Sequence, residues 1–367
     1  MTLNKKSHSA IELIRADVRS MRGYTPGEQI GGAVKLNTNE SAFSPSPRVR
    51  AVLAGIADDS LRLYPDPVSR KLRETAAALY GLAPEQVLAG NGSDDCLTIL
   101  YRAFLSPGDE VRVPSPTYGL YDTLATLQGA RLSSAPYRQV GRRWELPDEL
   151  GARGAKMVIV ANPNNPSATL ASTDELRRLC ARSQGVVVVD EAYVDFALGA
   201  GGAASMLPSM LPFLGEHDNL VVLRTFSKSY SLAGARLGLL FASPALVAEL
   251  TKVKDSYNVN VITQALGTAA LEDREHHHQL VARTLEQRAR LEIELAALGF
   301  TWPESAANFL LCTPPPSARA ETIYLALKAQ GLLVRWWPTP ELRERLRITV
   351  GKPEDNDRLI AALKMLI

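Results

Sequence analysis

The stretch Leu220-Val-Val-Leu-Arg-Thr225-Phe-Ser-Lys228-Ser-Tyr-Ser-Leu-Ala-Gly234-Ala-Arg236-Leu-Gly238 decides the fold. It starts as a short leucine and valine run, then breaks into hydroxyls, a lysine and a glycine. An arginine follows eight residues after the lysine. A short apolar run bounded by polar residues reads as a strand buried on both faces, as in a parallel sheet. Reactive side chains directly after such a run matter because open parallel sheets bind ligands beyond the carboxyl ends of their strands.

Working outward, four more runs share this character: Val87-Leu-Ala, Glu110-Val-Arg-Val, Met157-Val-Ile-Val and Val186–Val189. Helical periodicity separates them from about residue 47 to 240, the alternation of an α/β fold with a mostly parallel sheet flanked by helices. Residues 244 to 298 read as almost wholly helical, with a long connector over Leu280–Leu298. Strand candidates at Asn308–Cys312, Leu332–Arg335 and Leu346–Val350 then predict a smaller C-terminal α/β domain. An amphipathic helix is expected over Ser9–Met21. The expected division is an N-terminal arm over 1–40 contributing to the pocket, a large domain over 41–255 and a small domain over 256–367.

The residues just after each run carry the chemistry. After Val87-Leu-Ala comes Gly90-Asn-Gly92-Ser93-Asp94 and an apolar-periodic helix, a phosphate cup in which backbone N–H groups meet the positive end of the helix dipole. A plain helix cap by Ser93 or Asp94 reads equally well on that segment alone. After Val160 comes Asn162-Pro-Asn-Asn165-Pro. After Val189 comes Asp190-Glu191-Ala-Tyr193, an aspartate whose burial demands a cation. Lys228 follows the last run.

Composition narrows the chemistry. The 367 residues are 46% hydrophobic and 22% charged, which excludes disordered and collagenous classes. A net charge of +2 gives no reason to expect nucleic acid or an anionic membrane as partner. Three widely spaced cysteines suit a reducing compartment. The N-terminal residues lack a signal-like apolar stretch, and no window approaches about eighteen apolar residues, so a cytoplasmic chain is expected. The histidines are His8, His217 and the run His276, His277 and His278, none beside a motif. Consecutive positions on a helix diverge, so no metal site is expected there. Acid–base work therefore falls to another group. A phosphate cup, a buried Asp, an Asn/Tyr pair and a semi-buried Lys match the needs of pyridoxal 5′-phosphate: a lysine for its aldehyde, a carboxylate for its pyridine nitrogen and donors for its phosphate.

With these motifs assembled, the sequence resembles the fold-type I, aspartate-aminotransferase-like enzymes that use pyridoxal phosphate. It is most similar to their histidinol-phosphate aminotransferase branch. The resemblance runs from about residue 34 to 351 through Leu36-Asn-Thr-Asn-Glu40, Tyr64-Pro-Asp-Pro, Gly90–Asp94, Pro116-Thr-Tyr118, Asn162–Pro166, Val189–Tyr193, Thr225–Gly234 and Leu346–Gly351.

The resemblance implies a transaminase exchanging an amino group between L-histidinol phosphate and 2-oxoglutarate in histidine biosynthesis, ping-pong through an internal aldimine. It implies that Lys228 carries the cofactor and moves the substrate proton. Asp190 pairs with the ring nitrogen, Asn165 and Tyr193 bond the ring hydroxyl, and Tyr118 stacks on the ring. The Ser93 and Asp94 amides, Thr225, Ser227 and Arg236 hold the phosphate. Tyr64 reaches the phosphate of a second subunit, so the implied unit is a homodimer. Arg335 and Arg347 meet the substrate anion, with Tyr24 and Asn39 closing the pocket.

Three departures stand out. Ser167-Ala168 replaces the usual Thr-Gly, and because Ala adopts positive φ less readily than Gly, a reshaped turn is expected. Ser41-Ala42 replaces the usual Asn-Pro beyond Glu40, and Ala235 replaces a larger residue. By residue pattern alone, Arg347 alternates with Leu346 and Ile348 as a solvent-facing residue would, and Arg335 stacks readily on Trp336 or Trp337. Threonine-phosphate decarboxylase, an aromatic-amino-acid aminotransferase and a non-catalytic cofactor-binding regulator remain alternatives on these residues. The intact Lys228–Asp190 pair and the lack of room for a DNA-binding domain speak against the regulator.

Overall fold

The computed structural model describes residues 10–21, 23, 27–56, 58–197 and 208–367. Its centre is a seven-stranded sheet in the order Val87–Gly90, Gly238–Phe241, Leu220–Thr225, Val186–Asp190, Met157–Ala161, Glu110–Ser115 and Arg131–Pro136. All strands run parallel except Gly238–Phe241, which is antiparallel to both neighbours. The five expected runs are all strands of this sheet. Arg131–Pro136 and Gly238–Phe241 were not anticipated.

The valine runs explain the layers. Val187 and Val189 enter one apolar cluster, Val186 and Val188 the other, and Val158/Val160 against Met157/Ile159 divide in the same way. Period-two alternation with both faces apolar needs cover on both sides, which the helices provide. A third cluster, built on Leu36, Leu291, Leu295, Leu310, Leu346, Ile348 and Leu359, is the core of the C-terminal part. The connector is the 24-residue helix Arg274–Ala297, capped by Asp273.

Two features depart from the expected division. Val34–Lys35 pairs in parallel with Leu332–Leu333, so the end of the arm joins the C-terminal part's sheet. The helix Val261–Glu272 lies beyond residue 255 but packs on Pro47–Ala54 and Arg70–Tyr80, against the large sheet's core. In place of one helix over Ser9–Met21, the described residues form a 3-10 turn, Ala10–Leu13, and a short helix, Ala16–Ser20. Ile11 and Leu13 lie exposed there, so no apolar face is buried to hold a longer helix together.

Register positions the site. Gly238 sits opposite Gly90 on one side and Thr225 on the other, while Asp190 pairs with Ala161 and Leu223. The carboxyl ends of four parallel strands thus share one edge. Gly238 is required by close approach: a Cβ there would lie 2.3 Å from the Ser93 nitrogen and 2.5 Å from the Gly92 carbonyl carbon. Both are backbone atoms, so the loop itself must move. Gly238→Ala is expected to destabilise the fold by about 1–3 kcal/mol in urea unfolding. Gly215→Ala, with nothing within 4 Å of its Cβ, is the control expected to leave stability unchanged.

Candidate functional site

A cavity of about 1010 Å³ opens at that shared edge. Its walls combine Ser93, Asp94, Tyr118, Asn165, Asp190, Tyr193, Thr225, Ser227, Lys228 and Arg236 from the large sheet's loops with Asn39, Arg335 and Arg347. The structure therefore brings together thirteen of the residues singled out in the sequence. Two are elsewhere. Tyr64 is 80% exposed and stacks on Tyr257, with ring centroids 4.5 Å apart. Tyr24 lies outside the described residues.

Asp190 ends a strand whose five residues are all buried. Its Oδ2 accepts from the Tyr121 hydroxyl at 2.9 Å and its Oδ1 from the Ala192 N–H at 3.2 Å. Among the described residues no cation pairs with it. Burial pushes its carboxyl up to about 6; the two hydrogen bonds oppose that shift, and Asp94 and Glu191 add to it. Tyr121 was not anticipated. It lies three residues beyond Tyr118, in the helix Leu120–Gln128, and looks like any core aromatic, yet it is the hydroxyl that orients Asp190.

Lys228 is the complementary case. Its Nζ donates to the Thr38 carbonyl at 3.0 Å and lies 5.6 Å from the Tyr193 ring centroid. Burial, reinforced by Arg347, brings its ammonium down to about 8, against the pull of Glu40 and Asp94. A larger share of uncharged amine is therefore present near neutrality, as a nucleophile or base requires. Glu40 is itself fixed by Lys35 at 2.6 Å and Thr38 at 2.7 Å.

Neither Ser93 nor Asp94 caps the helix that follows. Gly92, at φ +86°, is the N-cap of Ser93–Phe104, and the first residues of that helix line the cavity. The Thr225 and Ser227 hydroxyls are linked at 3.0 Å, and Arg236 reaches Asp94 Oδ2 at 3.2 Å. Opposite the cup, Asn39 Nδ2 donates to the Tyr193 hydroxyl at 3.0 Å, while Thr349 Oγ1 donates to Asn39 Oδ1 at 2.9 Å. Asn39 adopts φ +56° and is buried, so it fixes Tyr193 from behind.

Arg347 corrects the solvent-facing reading. It is 7% exposed, because Phe309 and Trp337 rings flank its guanidinium, each centroid 5.3 Å away. Nη1 donates to Asn165 Oδ1 at 2.6 Å and Nη2 to the Asn37 carbonyl at 2.5 Å. Arg335 and Arg347 exchange backbone hydrogen bonds of 3.0 and 2.8 Å, so their side chains emerge on the same face. Arg335 also lies 5.3 Å from the Trp337 ring, so stacking and cavity lining hold together.

The departures resolve locally. Ala168 adopts φ +64°, the left-handed conformation that an alanine takes less readily than a glycine. Its N–H donates to the Asn164 carbonyl and its carbonyl accepts from Ala306, both at 2.8 Å, and its methyl packs with Tyr193 and Phe309. Ser167 takes a hydrogen bond from Asn164 at 2.8 Å, and Ser41 takes one from Ser231 at 2.7 Å. Of the three histidines, His276 turns to the Ser44 carbonyl and His277 stacks on Tyr230, so they diverge.

The site fits pyridoxal phosphate on one physical ground above the others. Asp190 is a buried carboxylate that no cation among the described residues pairs with, and a protonated pyridine nitrogen is a cation of the right kind for it. Lys228 and the amide-and-hydroxyl cup lie in the same cavity for the aldehyde and phosphate.

A family model described as "Aminotransferase class I and II" matches residues 32–363. The chain is 42% identical over 355 residues to the histidinol-phosphate aminotransferase of Synechocystis sp., covering 96% of this chain and 98% of the relative. It is 40% identical over 352 residues to that of Microcystis aeruginosa, covering 95% and 97%. Among solved structures, histidinol-phosphate aminotransferase from Sinorhizobium meliloti in complex with pyridoxal-5′-phosphate superposes with a TM-score of 0.83 at 25% identity, over 96% of each chain.

The Asp190 geometry yields a pH test. A carboxyl whose pKa is higher in the folded chain holds its proton more tightly there. Stability of the ligand-free protein therefore falls as pH rises from 3.8 through about 6. The contribution is on the order of 2–3 kcal/mol. Asp190→Asn should flatten that segment of the urea-midpoint profile, and an unchanged slope would assign it to another group.

Proposed function

The chain belongs to the class I and II aminotransferases, and from that premise we propose that it exchanges an amino group between L-histidinol phosphate and 2-oxoglutarate, with pyridoxal 5′-phosphate as cofactor. When bound, the cofactor supplies an aldehyde that links to amines and a ring that draws electrons from the amine's α-carbon.

The chain's own residues do the rest. Lys228 Nζ would hold the cofactor's aldehyde as the free amine, with loss of water, and would take the proton from the substrate's α-carbon once substrate has freed it. Asp190, oriented by Tyr121, would keep the proton on the ring nitrogen. Tyr193 and the donor side of Asn165 would meet the ring hydroxyl, and Tyr118 would cover the ring. The Ser93 and Asp94 amides, Thr225, Ser227 and Arg236 would grip the phosphate.

The observation that carries the substrate reading is the Arg335–Arg347 pair. Two guanidinium groups stand on one wall of the cavity that also holds Lys228 and Asp190. Both substrates bring an anion beyond the reacting carbon, a phosphate monoester in one and a distal carboxylate in the other. An arginine fork serves either. One anion site then lets a single pocket accept two unlike substrates in turn.

The same proposal covers assembly. The arm 1–40 and the small domain complete a pocket centred on the large one, supported by Thr38, Asn39 and Glu40 among the lining residues. The unit is a homodimer, with Tyr64 reaching the cofactor phosphate of a second copy. Exposed Leu61, Leu63 and Tyr257 beside Tyr64 support an apolar contact there. Three buried free cysteines suit the cytoplasm, and no helix among the described residues is long and apolar enough to cross a membrane.

Purified protein given L-histidinol phosphate and 2-oxoglutarate should form glutamate, with parallel lines in double-reciprocal plots. Intersecting lines would contradict the ping-pong scheme. Release of CO₂ from threonine phosphate without any glutamate would reassign the chain to the decarboxylase. For the dimer, mixing Lys228→Ala chains with Tyr64→Phe chains should create one intact site per dimer and restore full phosphate affinity there. An absence of complementation would place Tyr64 outside the shared site.

A further inference from the structure

Behind the cavity lies an ionic cluster that none of the roles above uses. Side chains alternate along a strand, so Asp190 and Thr225 face the cavity side while their neighbours Glu191 and Arg224 turn to the other face. The two are not alike in surroundings. Glu191 has a side chain with no exposed surface, and that of Arg224 is 11% exposed.

Arg224 Nε lies 2.8 Å from Glu191 Oε2, Nη1 donates to Asp195 Oδ1 at 2.9 Å and Nη2 donates to Ser209 Oγ at 3.1 Å. Glu191 accepts further bonds from Ser209 Oγ at 2.8 Å and the Met210 N–H at 2.6 Å. Asp195 Oδ2 accepts from Ser229 Oγ at 2.5 Å and lies 3.5 Å from His277 Nε2 on the connector helix. The Tyr80 ring closes the guanidinium's face at 5.4 Å.

The arrangement has a specific reach. Glu191 is the residue after Asp190, and Ser229 is the residue after Lys228. One guanidinium therefore ties together the chain immediately beyond both groups that would hold the cofactor. Through Glu191 it acts on the first, and through Asp195 and Ser229 on the second. A fully buried carboxylate and a part-buried one around one cation are costly unless the geometry is tight, and only a planar fork satisfies both at once. A lysine would retain the charge and lose the fork.

We propose that Arg224 is a positioning residue for the transamination reaction, setting the distance and orientation between Asp190 and Lys228 through Glu191 and the Asp195–Ser229 pair. It touches neither substrate nor cofactor. This inference rests on the function proposed above, and its test separates the two. Catalysis that depends on two groups held by different loops is sensitive to their relative placement, about 10²-fold for a misplacement near 1 Å.

The experiment uses holoenzyme of the wild type, Arg224→Lys, Glu191→Gln and Ser229→Ala. It reads kcat, KM, pyridoxal phosphate affinity, thermal midpoint and the pH midpoint of the bound-cofactor absorbance. Arg224→Lys is expected to lower kcat by about tenfold or more while KM stays within about twofold, and to move the absorbance midpoint. Ser229→Ala keeps the three charged side chains but removes the hydrogen bond to Asp195, and is expected to lower kcat and move the absorbance midpoint with cofactor affinity retained. Glu191→Gln is expected to weaken cofactor affinity.

Wild-type kcat and absorbance midpoint in Arg224→Lys, with only the thermal midpoint lowered, would overturn the proposal and leave the cluster a packing feature. If Arg224→Lys does not fold, Ser229→Ala decides on the same two readouts. A wild type with no cofactor absorbance would instead sink the function itself.

Discussion

Everything in this site turns on a carboxylate, buried at the end of an apolar strand, that no cation among the described residues pairs with. Asp190 is 6% exposed, held by one phenol and one amide, and its pKa is raised by burial. A folded chain retains such a group at a cost in stability unless another molecule supplies the missing charge. Lys228 is the mirror image, an amine whose ammonium is disfavoured by its surroundings. The amides leading the Ser93–Phe104 helix are a third incomplete group, donors facing a cavity. A pyridinium, an aldehyde and a phosphate complete these three, and one small molecule carries all of them. Binding then returns stability to the fold by mass action, since only the folded chain gathers the three groups.

That gathering is the work of sheet register. Gly90, Gly238 and Thr225 stand in one row, so the antiparallel strand Gly238–Phe241 brings the helix leading from Gly92 beside the loop carrying Ser227 and Lys228. The glycine at 238 is what lets Ser93 come so near. On the far side of the cavity, Arg347 belongs to the C-terminal part but is bound to Asn165 of the large sheet's loops and to the Asn37 carbonyl of the arm. Three segments distant in sequence therefore share one wall of the cavity, where Arg347 ties them together.

Much of this was legible in the sequence because the chemistry comes directly after the apolar runs. Val186–Val189 announces a buried strand, so the next residue, Asp190, stands out as a charge needing a partner. Lys228 stands out the same way among hydroxyls after Leu223. Other residues were concealed for physical reasons. Gly238–Phe241 follows at once on a loop dense with other motifs, so its apolar residues read as the end of that loop. Tyr121 sits on an apolar helix face, where an aromatic is ordinarily core, and only its hydroxyl's contact distinguishes it. Alternation on Leu346–Thr349 put Arg347 on the solvent side, whereas Phe309 and Trp337 cover that side too. Ala168 keeps a left-handed φ that its sequence argued against, held by hydrogen bonds on both sides. The Glu191, Asp195 and Arg224 cluster is invisible to spacing, since charged residues one, five and thirty-four positions after Asp190 meet only once the strands are paired.

The way Arg347 is bound bears on how one pocket could serve two substrates. Both of its terminal nitrogens already donate to the chain, and aromatic rings flank its faces. The long side chain is thereby ordered before any ligand arrives, so an incoming anion does not bear the rotamer entropy that an exposed arginine would lose. Arg335, half-buried and stacked on the same Trp337 ring, stands beside it as the second cation. A pre-ordered pair favours negative charge at a fixed place over any particular shape around that charge. Phosphate and carboxylate differ in geometry but agree in charge and in their fit to a guanidinium's planar edge. Under the proposed function, discrimination among amines would fall to the rest of the cavity, while the distance from the arginine pair to Lys228 would set which carbon is presented to the amine. A site built this way would hold the reacting carbon of either partner at Lys228 by gripping the far end of the molecule, and remote binding energy spent on position in this manner is what raises the chemical rate.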